Sequence, residues 1–81
     1  MEIHDFDLIE PIVKNSYLSS FIKDGIYIYF GEVKMLDGDN REWIDGCMYR
    51  EWNKELSNTV GNTLVISKEM FQKCFKKYGK V

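Results

Sequence analysis

The stretch from Gly25 to Trp52, GIYIYFGEVKMLDGDNREWIDGCMYREW, contains two long segments that are rich in β-branched and aromatic residues. Between them lies Asp37-Gly38-Asp39-Asn40, a run of residues that favour tight turns. This pattern is typical of two antiparallel strands joined by a turn. The sequence therefore predicts a β-hairpin over residues 26–52, against which the rest of the chain packs.

A tight turn sets the register of this hairpin. Leu36 then faces Arg41 across the turn, and Glu32 falls opposite Asp45, which is an unfavourable like-charge pair. We therefore expect a bulge or a one-residue shift at that point.

Strict alternation fails inside the first strand of this hairpin. The apolar face that begins with Ile28 would continue into Glu32 and Lys34, which would place charges among buried residues. A β-bulge at Gly31 inserts one residue and resets the phase. The residues that then share the buried face are Ile28, Phe30, Val33 and Met35.

The second arm of the hairpin has an alternative interpretation as a helix over residues 46–57. Its apolar residues also recur at helical spacing, namely at Met48, Tyr49, Trp52 and Leu56. Asp45 is a suitable N-cap for such a helix. We favour a strand through about Trp52, because the first arm needs a partner of similar length, but the sequence leaves both alternatives open.

Two further segments indicate helices that flank the sheet. Asp7 and Glu10 have the spacing of a capping box, which predicts an N-terminal helical segment that begins at about Asp7 to Pro11 and breaks near Asn15. At the other end, Ser67 is a good N-cap for a C-terminal helix over 68–78. The apolar residues of that helix form one stripe, which consists of Met70, Phe71, Cys74, Phe75 and Tyr78.

The segments together predict a single α+β domain over residues 1–81. Its small antiparallel sheet contains the bulged hairpin 26–52 and a short strand at 63–66, with a loop over 53–62 between them. A chain of 81 residues has room for one core only. We expect Cys47 and Cys74 to be small reduced residues of that core.

Composition limits where and how the protein acts. The chain has no apolar run of about 18 residues, and its first residues, MEIHDFDLIEP, are acidic where a secretory signal is basic. We therefore expect a cytoplasmic protein without a membrane partner. The net charge of −2 conceals a basic C-terminus, since five lysines and one glutamate follow Ser67.

The sequence offers no pattern that is typical of catalysis. It has one histidine, His4, no phosphate-binding glycine loop and no metal-binding spacing of cysteine and histidine. The acidic turn does not match a calcium loop, because position 6 counted from Asp37 is Glu42 where glycine is required. We therefore expect no catalytic residues, no metal and no cofactor, and a protein that is not an enzyme.

The first functional hypothesis is a small non-catalytic protein-binding module. Tyrosine and tryptophan are the side chains that most often anchor protein interfaces. The expected contact residues are the sheet aromatics Tyr27, Tyr29, Trp43 and Trp52, together with Asp37 and Asp39 of the acidic turn. Small domains of this size include accessory proteins of phages and mobile elements and inhibitors of larger host proteins, and homo-oligomers stay open as well.

The alternative hypothesis is a nucleic-acid-binding domain. Lys68 and four further lysines lie opposite the apolar stripe of the predicted C-terminal helix, and a row of lysines can contact phosphates. The residues expected to bind nucleic acid are Lys73, Lys76, Lys77 and Lys80. The acidic chain as a whole makes a solvated helix face the simpler interpretation of these lysines.

Overall fold

In a computed structural model that describes residues 2–12, 22–39 and 41–81, the chain forms one antiparallel sheet and a short helix. The strands are β1 (Asp7–Pro11), β2 (Tyr27–Leu36), β3 (Trp43–Asn53), β4 (Asn58–Ser67) and β5 (Phe75–Lys80). Helix α1 (Lys68–Cys74) connects β4 to β5. The strand order is β4-β3-β2-β1-β5, so β4 and β5 form the two edges of the sheet.

The predicted α+β fold class is wrong, because the sheet dominates and the described residues contain a single helix of seven residues. The N-terminal helical segment was predicted to begin at Asp7 to Pro11, but these residues form strand β1. The predicted continuation of that helix over 13–21 lies outside the described residues. Asp7 does not cap a helix, since its carboxylate accepts a hydrogen bond from the backbone amide of His4 at 2.9 Å. Pro11 is the last residue of the strand, where a missing amide costs little.

The predicted C-terminal helix over 68–78 is also wrong in its second half. Ser67 caps α1 as expected, because its hydroxyl accepts a hydrogen bond from the Met70 amide at 3.2 Å. The helix then ends at Cys74, and the chain continues as β5, which pairs antiparallel with β1. Pairing with the open edge of β1 therefore prevails over the helical spacing of the apolar residues.

The predicted hairpin is present as β2 and β3, and the alternative helix over 46–57 is excluded because residues 43–53 are strand. The bulge lies at Phe30, since Tyr29 pairs with Tyr49 and Gly31 pairs with Met48. Gly31 has a φ of 119°, a conformation that residues with a side chain rarely adopt. A glycine is therefore needed immediately after the bulged residue.

The face of β2 that packs on the aromatic core is nevertheless not the predicted one, although Ile28 is buried as expected. Tyr27 and Tyr29 were expected on the outer face, but they are only 4% and 2% exposed. The connection between the strands spans residues 37–42, so Leu36 pairs with Trp43 and not with Arg41. This longer connection also places Glu32 opposite Cys47, which avoids the like-charge pair that a tight turn would create.

The strand expected at 63–66 is longer, and the loop expected over 53–62 is reduced to a turn over 54–57. β4 begins at Asn58 and contains three of the polar residues that suggested a loop, Asn58, Thr59 and Asn62. Polar residues are compatible with a strand here because β4 is an edge with much of its surface in solvent. Polarity alone therefore did not distinguish an edge strand from a loop.

Aromatic side chains from β2, β3, α1 and β5 form the centre of the core. The ring centroids of Tyr29 and Phe71 are 5.1 Å apart, and those of Tyr49 and Phe75 are 4.9 Å apart. Cys47 and Cys74 are buried and free, as predicted. Burial raises the pKa of Tyr49 to about 12, so this ring stays neutral in the core at physiological pH.

Replacing Tyr29 tests whether this ring belongs to the core. We expect Tyr29→Ala to lower the free energy of unfolding by about 3 kcal/mol or more, because it removes a buried aromatic ring. Leu56→Ala, in the exposed turn over 54–57, is the matched control and should change it by about 0.5 kcal/mol or less. Urea denaturation measures both, and a Tyr29 variant as stable as the Leu56 variant would contradict the described core.

Candidate functional site

Two large apolar side chains are exposed at the tip of the β2–β3 hairpin. Trp43, the first residue of β3, is 71% exposed, and Leu36, the last residue of β2, is 50% exposed. The two residues are directly paired across the hairpin, so their side chains lie on the same face of the sheet. We call Leu36 and Trp43 the tip pair.

An open groove of about 700 Å³ lies beside the tip pair. It is formed by the hairpin tip, the end of β4 and the first residues of α1. Leu36 belongs to its lining, and the other apolar residues that line it are Met35, Ile44, Val65, Ile66 and Met70. Leu36 therefore connects the tip pair to the groove, whose lining also contains charged residues, namely Asp37, Asp45, Lys68 and Glu69.

A glycine in the middle strand brings side chains of its two neighbours together in this region. A Cβ atom added to Gly46 would lie 2.7 Å from Sδ of Met35 and 3.2 Å from Cγ1 of Val65. Met35 belongs to β2 and Val65 to β4, so these side chains approach each other over β3. The absence of a side chain at position 46 makes this approach possible.

The polar groups around the groove give the tip an excess of negative charge. Residues 37–45 contain four acidic residues and one basic residue, Arg41. The carboxylate of Asp45 accepts a hydrogen bond from Lys34, which lowers the pKa of Asp45. Nζ of Lys68 lies 2.6 Å from Oε1 of Glu32, and this hydrogen bond raises the pKa of Lys68. Both lysines near the groove thus already have acidic partners.

Two of the predicted contact residues, Tyr27 and Tyr29, are buried and therefore cannot contact a partner. The Tyr27 hydroxyl donates to the backbone oxygen of Lys23 at 2.6 Å, and the Tyr29 hydroxyl donates to Sγ of Cys47 at 3.9 Å. Burial raises the pKa of both hydroxyls. These tyrosines are core residues with satisfied hydroxyls, and the prediction that they are exposed anchors is wrong.

The other predicted contact residues do not form one surface. Trp43 lies at the tip, together with Asp37 and Asp39 in the connection between β2 and β3. Trp52 is partly buried and lies nine residues further along β3, which corresponds to about 30 Å. The structure therefore brings Trp43, Asp37 and Asp39 together and separates them from Trp52.

The lysines of the alternative hypothesis do not share a helix face. Lys73 belongs to α1, whereas Lys76, Lys77 and Lys80 belong to β5. Three of the four lie near carboxylates: Lys73 Nζ is 3.3 Å from Glu69, Lys76 Nζ is 3.5 Å from Glu10, and Lys77 Nζ is 3.5 Å from Asp7. Their positive charge is partly balanced within the protein.

Sequence reasoning missed Leu36 and the groove residues. It assigned Met35 to a buried face, although this side chain lines the groove, and it treated Leu36 only as the residue before the turn. The signal that was present is the position of two large apolar residues, Leu36 and Trp43, on either side of an acidic connection. The groove itself depends on pairing between distant strands and had no local signal.

Residues 2–12, 22–39 and 41–81 contain no group of three or more histidine, cysteine, aspartate or glutamate side chains that could hold a metal ion. Over the same ranges, no helix has the length and apolar character that crossing a membrane requires. Every buried polar side-chain atom in this part of the chain has a hydrogen-bond partner. Comparison with known protein families, curated proteins and solved structures finds no match for the chain.

The buried carboxylate of Asp7 leads to a prediction about stability in acid. The Asp7 carboxylate is buried, and its pKa lies below the usual value, chiefly because the His4 amide donates a hydrogen bond to it. A carboxylate whose pKa is lower in the folded than in the unfolded state stabilises the fold at neutral pH. That stabilisation is lost as the pH falls through the folded-state pKa.

We expect Asp7→Asn to lower the melting temperature at neutral pH and to make stability less dependent on pH between about 5 and about 2. Thermal unfolding by circular dichroism over this range measures both effects. Glu55→Gln, in the exposed turn after β3, is the control and should follow the wild type. An Asp7 variant that matches the wild type at every pH would contradict the assigned role of this carboxylate.

Proposed function

We propose that the protein is a small non-catalytic protein-binding module whose contact surface is the tip pair with the adjoining groove. The observation that carries this proposal is the exposure of Trp43 and Leu36, side by side, next to a groove lined by further apolar side chains. Exposed apolar patches with a polar rim are typical of protein–protein contact sites. Tryptophan is also enriched among the residues that dominate binding energies.

The stability of the hairpin does not require this surface. The tip pair lies beyond the aromatic core, and a cross-strand pair of this kind contributes only about 0.2–1 kcal/mol to a sheet. A polar pair at these positions would close the same hairpin without exposing a large apolar ring to water. The presence of tryptophan at this position therefore supports a role in binding.

The charge of the tip indicates the chemistry of the partner. Asp37, Asp39 and Glu42 surround the tip pair, and Glu69 at the start of α1 adds a further carboxylate to the groove. A partner segment that inserts an apolar side chain into the groove and carries lysine or arginine beside it fits this surface. We propose that such a segment belongs to a larger protein in the cytoplasm, which the module inhibits or assists, as phage and mobile-element accessory proteins do.

The nucleic-acid alternative has less support. Lys73, Lys76 and Lys77 each have a carboxylate within 3.5 Å, so fewer of their charges are available to phosphates. Tyr27 and Tyr29 are buried, and Tyr78, the exposed aromatic residue of β5, already has Nζ of Lys54 4.8 Å from its ring centroid. Nucleic-acid binding therefore enters only as an outcome of the experiment below.

Affinity capture from the host lysate with matched variants tests the proposal. The tagged wild type should retain a protein after nuclease treatment and in moderate salt. The double variant Leu36→Ser/Trp43→Ala should bind that protein at least about 30-fold more weakly, because it loses an anchor worth about 2 kcal/mol. Leu56→Ser, which also replaces an exposed leucine, should bind like the wild type.

Both variants are first checked by thermal unfolding, because the interpretation requires folded proteins. Equal retention by the tip variant and the wild type would contradict the assigned surface. Loss of all captured material on nuclease treatment would instead favour the lysines of α1 and β5. In that case, exchanging Lys73 and Lys76 for glutamate should abolish capture.

A further inference from the structure

The two edges of the sheet differ in how they are protected from pairing with other strands. An edge strand exposes unpaired backbone groups, and proteins often protect such edges with lysines. β5 carries three lysines, Lys76, Lys77 and Lys80. β4 has no charged side chain among its ten residues, NTVGNTLVIS. Only the β5 edge therefore has this protection.

A bulge protects the first half of β4 in another way. Leu64 pairs with Tyr49 and Val60 pairs with Glu51, so residues 61–63 of β4 lie opposite Arg50 alone. Nε of Arg50 donates a hydrogen bond to the backbone oxygen of Gly61 at 2.8 Å, which holds this bulge in place. Bulges bend an edge away from regular pairing, so Asn58–Thr63 is a poor template for another strand.

The second half of β4 is protected neither by lysines nor by a bulge. Residues 64–67 pair in unbroken register with residues 46–49 of β3, and none of the described residues pairs with the opposite side of β4. Two apolar side chains of this segment are well exposed, Leu64 at 45% and Val65 at 41%. This short segment is a regular, uncharged and apolar sheet edge.

We propose that a second copy of this chain pairs with residues 64–67, so that the protein forms a symmetric dimer in which two β4 strands join antiparallel. A two-fold axis perpendicular to the sheet keeps each face of one sheet continuous with the same face of the other. Residues directly opposite each other must therefore have the same side-chain direction. Centring the axis on Val65 places it opposite Val65 of the second copy and Leu64 opposite Ile66.

This arrangement brings together no like charges. Lys68, the first charged residue after the strand, comes opposite Asn62 of the second copy. Cross-strand contacts among leucine, isoleucine and valine remove from water the side chains that are exposed in the single chain. Residues 64–67 are therefore complementary in polarity to the same segment of a second copy.

Other contacts between copies are less favourable. Joining two β5 strands would bring lysines close to lysines at an edge that already carries three of them. Joining β4 of one copy to β5 of the next is a heterologous contact, which continues from molecule to molecule unless the rotation closes a ring. Pairing of β4 with β4 closes after two copies and leaves both β5 edges protected by lysines.

Analytical ultracentrifugation of the full chain tests this dimer. The wild type should sediment as a dimer that dissociates on dilution. Val65→Lys places two lysines opposite each other on the axis and should leave only monomer. Leu56→Lys introduces the same charge at an exposed leucine outside residues 64–67 and should sediment like the wild type. A wild type that stays monomeric at all concentrations, or a folded Val65 variant that still dimerises, would overturn the proposal.

A cross-linking variant supplies a second test that does not depend on disrupting the edge. Residues opposite each other on the axis have Cα atoms about 4.5–5.5 Å apart, within the range of about 4.4–6.8 Å that a disulfide spans. Val65→Cys should therefore form a disulfide-linked dimer on mild oxidation with diamide. Cys47 and Cys74 have no exposed surface and do not compete. Cross-linking no greater than that of Leu56→Cys would overturn the proposal.

Neither test depends on the proposed binding partner. The tip variant Leu36→Ser/Trp43→Ala leaves residues 64–67 unchanged and should still dimerise. Val65 also lines the groove, so Val65→Lys is used to test the dimer only, and partner binding is judged from the tip variant. Failure of the dimer proposal and failure of the protein-binding proposal can therefore be distinguished.

Discussion

The fold depends on the side-chain phase of β2 on either side of Phe30. One extra residue in this strand allows Tyr27 and Tyr29 to face the core before the bulge, while Glu32 pairs with Cys47 after it. The φ of 119° at Gly31 restricts this bulge to a glycine. Because the side-chain period of a strand is two, any other phase would exchange the buried and exposed faces of half the hairpin.

The same phase separates the core from the candidate binding surface. Along the inner face of β2, Tyr29 is followed by Glu32, Lys34 and Leu36, so the apolar core gives way to charged pairs before the tip is reached. Lys68 joins Glu32 to the start of α1 in this charged zone. The tip pair therefore lies on the same face as the core but outside it, where Trp43 is free to contact a partner.

Local sequence signals predicted the hairpin, the need for a bulge near Gly31, the Ser67 cap and the burial of both cysteines. They failed where pairing between distant segments determines the structure. Five residues, Asp7–Pro11, are too few to show a period, and their apparent capping box is compatible with a strand. Phe75 fits the stripe of a helix as well as the first position of a strand, and the edge of β1 decides between them.

The candidate site was predicted only in part for the same reason. Trp43, Asp37 and Asp39 are close together because they are close in sequence. Leu36 and the groove required the correct register across the connection over 37–42, which the sequence analysis placed two residues away. Tyr27 and Tyr29 share a face with the charged residues Glu32 and Lys34, which suggested that this whole face is exposed. In the structure the face is buried before the bulge and exposed and charged after it.

The central claim is the pairing of Tyr29 with Tyr49, which places both rings in the core and Leu36 opposite Trp43. Nuclear Overhauser effects between backbone protons across the hairpin measure this register directly in solution. The structure predicts cross-strand effects between Tyr29 and Tyr49, together with contacts between the rings of Tyr29 and Phe71. Effects that pair Phe30 with Cys47 and Ile28 with Tyr49 would show the opposite phase and contradict the account.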